Sequence, residues 1–172
     1  MNESKAGPFS LTVKQRIAWA GDAFDRLRIR FYEDEASSLL LKRLQKAINV
    51  SKKLSEQIGI SEICHKCDRL EGGSCCGAGM ENRYDGWLLL VNMLLQVNLP
   101  EERFDPSSCY FLGQNGCTLK ARHVICINHV CGKITGAIKK EDLMLLREKE
   151  GEELEILFHL NERLKVLAEQ WD

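Results

Sequence analysis

Cys64-His65-Lys66-Cys67-Asp68-Arg69-Leu70-Glu71-Gly72-Gly73-Ser74-Cys75-Cys76-Gly77-Ala78-Gly79 is the stretch on which the fold turns. It holds four cysteines and four glycines, with no clean helical or strand period. The regions on either side read as helix, so a cysteine-rich insert inside a mostly α frame is expected. Four more cysteines follow, at 109, 117, 126 and 131. All eight lie within 68 residues, and the other 104 residues have none. Cysteines serving only as small core residues would be scattered, so the clustering implies a shared role.

Upstream, residues 11–32 carry Trp19, Ala23, Leu27 and Phe31 at four-residue spacing, which predicts one buried helix face. A second helix carries Leu40, Leu44, Ala47, Ile48, Leu54 and Ile58. Ser51 interrupts its stripe, and Gly59 suits its C-cap. Glu33-Asp34-Glu35 suits a link or a helix N-terminus, so the two helices are expected to form an antiparallel hairpin. Downstream, residues 84–98 read as a helix apolar nearly all round, hence buried, opened by Asp85 and ended by Pro100. Asn115-Gly116 lies between Cys109-Tyr110-Phe111-Leu112 and Cys117-Thr118-Leu119, a β-hairpin signal. That hairpin would bring Cys109 and Cys117 together at its open end. The last third repeats Leu143, Leu146, Leu154, Leu157, Leu160, Leu164, Leu167 and Trp171 at mostly three- and four-residue steps. Gly151 is expected to weaken its centre and split it into two helices.

The composition excludes several classes of function. In 172 residues, 44% are apolar and 28% charged, as in an ordered globular chain. A net charge of -1 gives no overall field to draw in nucleic acid or an anionic membrane. The longest apolar run, Trp87–Leu99, spans 13 residues and contains Asn92, Gln96 and Asn98. A membrane span needs roughly 20. Met1–Pro8 has no basic start followed by an apolar core, so no secretory signal and a cytoplasmic location are expected. Charge is uneven: residues 1–63 sum to +3, residues 64–138 to 0 and residues 139–172 to -4. The basic N-terminal and acidic C-terminal helices could therefore pack together.

Eight thiols have three uses. A disulfide framework suits a small secreted chain without a core, and this chain has neither property. Thiol redox catalysis would use Cys64-His65-Lys66-Cys67, where His65 and Lys66 could lower a thiol pKa. No strand leads into that motif, however, and six cysteines would go unexplained. Metal ligation accounts for all eight, because thiolates are soft ligands for zinc and for iron–sulfur clusters. Vicinal Cys75 and Cys76 project in different directions, so they more naturally serve two metals, or one metal and a supporting role. Four thiolates around either kind of centre leave a charge of about -2. Lys66, Arg69, Lys120, Arg122 and Lys133 lie near in sequence to offset it. Zinc ribbons usually show two Cys-x-x-Cys turns, and here there is one. The close-spaced ferredoxin run is absent too. Irregular spacing better suits a cluster gathered from several elements, which puts an iron–sulfur cluster ahead of Zn as the expected cofactor.

Cys64-x2-Cys67, Cys75-Cys76, Cys109-Tyr110-Phe111-Leu112 with Gly116-Cys117, and Arg122-x3-Cys126 with Cys131 together resemble the YkgJ-like cysteine-cluster family, described as a zinc- or iron-chelating domain. The resemblance covers residues 63–132 and matches all eight cysteines. The Cys67–Cys75 loop is longer than the family's, and His123 stands where the family has proline. That family also looks related to the flagellin lysine methylases, but no glycine-rich strand-to-helix cofactor fingerprint is present to carry methyl transfer over.

The chain therefore reads as mostly α: a helical bundle around a cysteine-rich metal-binding segment with one small β-hairpin. Residues 1–62 form a helical hairpin, 63–132 the metal-binding core and 133–172 a C-terminal helical segment, in one compact unit. Candidate ligands are Cys64, Cys67, Cys75, Cys76, Cys109, Cys117, Cys126 and Cys131. His129, Lys66 and Arg122 are supporting residues or further ligands. His65 is expected to point outward. Arg26, Arg28 and Arg30 read as a solvated face, and Trp87 and Met93 as core. No paired carboxylate or Ser/His/Asp order stands out, so no catalytic residue is named. Three functions stay open: a metal-cluster protein in electron transfer, redox sensing or metal handling; an interaction module with structural zinc; and a small metal- or thiol-dependent enzyme. A protein partner, or self-association through the C-terminal helix, is expected, without membrane or nucleic acid.

Overall fold

The computed structural model describes residues 11–70 and 75–169; Gly72, Gly73 and Trp171 lie outside them. Helix α1 (Val13–Glu33) starts at a capping box, in which Thr12 and Gln15 exchange hydrogen bonds between side chain and backbone. Asp34 alone links it to α2 (Glu35–Gln57), ending one helix and capping the next. Gly59, at φ 86°, turns the chain into α3 (Ile60–Leu70). A 3-10 turn (Met80–Arg83) then leads to α4 (Gly86–Leu94), capped by Asp85. Strands β1 (Leu112–Gly113) and β2 (Gly116–Cys117) pair antiparallel, with Leu112 opposite Cys117. Gly116, at φ 105°, makes the turn that Asn115-Gly116 signals. Helices α5 (Val124–Asn128), α6 (Gly132–Ala137) and α7 (Lys140–Glu169) complete the chain. The fold is mostly α with one small β-hairpin.

The most extensive helix pairing is α2 with α7, followed by α1 with α4; α1 and α2 touch each other less. Each half of the N-terminal helix pair is thus held chiefly by a later part of the chain. Ala20, Leu27 and Phe31 of α1, Leu44 and Ile48 of α2, and Leu89, Leu90 and Val91 of α4 share one apolar cluster. Phe111, Leu119, Leu160 and Leu164 belong to it too, so all three sequence segments build one core. Each fully buried Leu or Phe contributes about 1.5–3 kcal/mol. Packing is tightest where α1 meets α4. A Cβ added to Gly86 would lie 2.3 Å from Trp19 Cε3, and Trp19 meets Trp87 edge to face at 4.9 Å. Ser51, the break in the α2 stripe, is buried and bonded to Glu153 of α7.

Three expectations change. Helix α7 runs unbroken through Gly151, because its apolar side lies along α2 and packing outweighs the ~1 kcal/mol cost of one glycine. Helix α4 begins at Gly86 and stops at Leu94, well before Pro100. Gln96 takes a left-handed conformation (φ 63°), and the Gln96 and Val97 amides close the helix end on Met93 and Asn92 carbonyls. Cys64 and Cys67 lie on helix α3 rather than in a glycine-rich loop, and their i, i+3 spacing puts both on one face.

Candidate metal centre

One cavity of about 240 Å³ is lined by Cys75, Cys76, Cys109, Cys117 and Cys126. Tyr84, Arg122 and His129 complete its polar wall, and Met80, Leu112 and Ile125 its apolar wall. The five sulfurs come from the segment before the 3-10 turn, the loop before β1, strand β2 and helix α5. Backbone pairing holds the first two together. The Cys109 amide donates to the Cys76 carbonyl at 2.6 Å, the Ala78 amide to Ser107 at 2.9 Å, and Gly77 bridges Ser108.

A buried carboxylate frames this pairing. Glu81 accepts from the Gly79 amide at 2.9 Å, from the Tyr110 amide at 3.4 Å and from Arg103, which also donates to the Ser108 carbonyl. Burial opposes ionisation of Glu81, but Arg103 and the backbone N–H groups outweigh it and lower its pKa. Next to Arg122, His123 caps α5 through Nδ1, which accepts from the Ile125 amide at 3.2 Å. Asn92, fully buried on α4, fixes the chain leading to Arg122 by bonding Lys120 and Ala121.

The other three cysteines form a rim. Cys64 and Cys67 lie on α3, and Cys131 stands at the N-cap position of α6, which packs on α3, without a capping bond from its side chain. Lys133 donates from Nζ to Cys67 Sγ at 3.3 Å. Burial pushes the Cys64 thiol up, and the thiols of Cys75, Cys131 and Cys67 push it further. Accepting a hydrogen bond from Cys76 lowers the Cys75 thiol to about 6, with help from His129, while Cys76 is raised. Burial pushes the Cys109 thiol up to about 11. All eight cysteines carry thiols rather than disulfides.

Among the described residues, no three His, Cys, Asp or Glu side chains converge at metal-bonding distance. The cavity thiols ring a space far wider than one ion with Zn–S bonds of about 2.3 Å would fill. The donor set is soft sulfur beside an apolar wall, one imidazole and one guanidinium, a lining that suits a thiolate-held metal centre and not a hard cation.

The supporting residues separate. Arg122 and His129 line the cavity, and Lys66 is exposed on α3 outside it. The Lys120 ammonium caps the end of α4 by donating to the Leu95 carbonyl at 2.7 Å. The Arg69 side chain lies outside what is described. Reading the sequence missed two features. One is Tyr84, whose only signal is an aromatic hydroxyl just before the helix cap. The other is a carboxylate pair, Glu150 and Glu153, buried on α7. Burial raises both pKa values, and Arg122, a wall residue of the cavity, opposes the shift in each. Three residues apart on a helix of mixed charge, these two carry no local signal of burial. Comparisons with protein-family models, curated proteins and solved structures found no match.

Proposed function

We propose that this chain is a metal-centre protein whose cavity thiols ligate an iron–sulfur cluster, in electron transfer or redox sensing. The observation that carries the reading is the convergence of five of eight cysteines, from four separate elements, on one cavity of about 240 Å³. The resemblance to the YkgJ-like cysteine-cluster family supports the same reading. A bound cluster supplies one-electron chemistry at a potential set by its surroundings. The chain's residues do the rest. Cys76, Cys109, Cys117 and Cys126 supply thiolates from rigidly paired backbone. Arg122 offsets their negative charge, His129 offers an imidazole N–H beside them, and Met80, Leu112 and Ile125 supply the apolar side of the site. A reducing compartment such as the cytoplasm keeps the thiols available.

The test is metal and sulfide content in cysteine variants purified without oxygen. Cys109→Ser and Cys126→Ser are expected to lose iron, sulfide and the absorbance near about 400 nm. Cys64→Ser, on the rim, is expected to keep them. Cavity variants that retain the full wild-type metal content would overturn the proposal, as would a wild-type chain that takes up no metal.

A further inference from the structure

Tyr84 is a buried phenol with two polar neighbours, and both belong to the segment that presents Cys126. Its oxygen accepts from the His123 amide at 3.1 Å, and its hydroxyl faces Cys126 Sγ at 3.5 Å. The thiolate state of a ligand sulfur fixes the direction of the second bond. A backbone amide only donates, so it occupies a lone pair of the phenol oxygen. The single O–H proton is then free for the sulfur, and a thiolate sulfur, having no proton of its own, can only accept it. Tyr84 is 2% exposed and packs edge to face on Phe111 at 5.1 Å, so the phenol cannot swing away to water. The bond from His123 exists because residue 123 carries an N–H at all; a proline there would have none.

From this geometry we infer that Tyr84 is a positioning residue that fixes Cys126 as a ligand and sets the potential of the centre through an O–H···S hydrogen bond. The inference rests on the proposed thiolate-held cluster. A donor aimed at a thiolate ligand stabilises the more negative, reduced state more than the oxidised one. It therefore raises the midpoint potential. Accepting from His123 polarises the phenol and strengthens its donation.

The experiment compares wild type and Tyr84→Phe, each purified without oxygen and loaded with its cluster. Removing the hydroxyl is expected to shift the oxidised-to-reduced ratio about tenfold toward the oxidised form, which is about 59 mV more negative for one electron. Exchange into D2O is expected to shift the iron–sulfur stretching bands of wild type but not those of Tyr84→Phe. If Tyr84→Phe fails to fold, fluorination of the Tyr84 ring keeps the shape and makes the phenol a stronger donor. The potential should then rise. A cluster-loaded Tyr84→Phe protein with wild-type potential and unchanged solvent-isotope sensitivity overturns this inference and leaves the cluster reading intact. The same holds for a fluorinated protein whose potential does not move. A wild-type chain that holds no cluster overturns both.

Discussion

The Asn92 side chain and the Ala121 backbone hold each other in a reciprocal pair of hydrogen bonds. Asn92 Nδ2 donates to the Ala121 carbonyl at 2.9 Å, and the Ala121 amide donates to Asn92 Oδ1 at 3.0 Å. The same oxygen accepts from the Lys120 amide at 2.9 Å, and Nδ2 also reaches the Leu88 carbonyl. One residue of the core helix thereby carries the chain that leads to Arg122 and Cys126. Asn92→Leu keeps the branched shape, though it is larger, and strands the buried Ala121 amide and carbonyl together with the part-buried Lys120 amide. It is expected to cost more than about 3 kcal/mol, read by urea unfolding, because each stranded group costs about 1–3 kcal/mol. A loss below about 1 kcal/mol would mean that the clamp does not hold this segment.

Gly86 sits where α4 presses on α1. A methyl group there meets the Trp19 ring at 2.3 Å, and the ring is braced by Trp87. Gly86→Ala is expected to destabilise by about 1–3 kcal/mol despite its better helix propensity. Adding Trp19→Leu should recover part of that loss, a non-additivity expected only of residues in contact. Strictly additive effects would contradict the close approach.

Asp34 links α1 to α7 as well as to α2. Its carboxylate caps α2 by accepting from the Ser37 amide at 2.9 Å, and it pairs with Arg163 across both oxygens. Arg163 and then Ser37 hold its carboxyl well below the usual carboxylate range. With the folded pKa depressed, the stabilisation is fully present above the ordinary value near 3.8 and is lost as pH falls below it. Asp34→Ala is expected to cost about 1–2 kcal/mol at neutral pH, mostly from the cap. Asp34→Asn keeps the cap and should flatten the acid limb of the stability profile. An acid limb identical to wild type in Asp34→Asn would contradict this assignment.

Glu153 presents the opposite sign. Ser51 Oγ contacts both the Ile48 carbonyl, at 3.1 Å, and Glu153 Oε2, but it has one proton. Burial raises the Glu153 pKa, and Ser51 and Arg122 only partly oppose the shift. A raised folded pKa means stability is highest at low pH and falls as pH rises above the ordinary value near 4.5. Glu153→Gln is expected to be more stable than wild type at neutral pH, with the difference shrinking toward acid. Chemical unfolding across that range reads it, and a Gln variant less stable than wild type at neutral pH would contradict a Glu153 carboxyl whose pKa burial raises.

Much of the frame was legible because its signals are local. The Ala23, Leu27 and Phe31 stripe, the Gly59 stop, the Asp85 cap and the Asn115-Gly116 turn each act over a few residues, and each forms as expected. Pairing was less legible. Nothing local says that α2 takes α7 as its main partner, and that long contact carries the last helix through Gly151. The candidate site divides the same way. Eight clustered cysteines announce themselves, but the division into a five-thiol cavity and a three-thiol rim depends on how α3, the hairpin and α5 meet. Tyr84 and the Glu150–Glu153 pair were invisible for the same reason: their roles come from burial, which chain spacing does not encode.

The measurement that tests the central claim most directly is iron, sulfide and zinc content per chain, with an absorption spectrum, on protein purified without oxygen. A brown protein with iron and matching acid-labile sulfide, absorbing broadly near about 400 nm, is the predicted result. A colourless protein holding only zinc would contradict the cluster, and a folded chain with eight titratable thiols and no metal would contradict the metal centre itself.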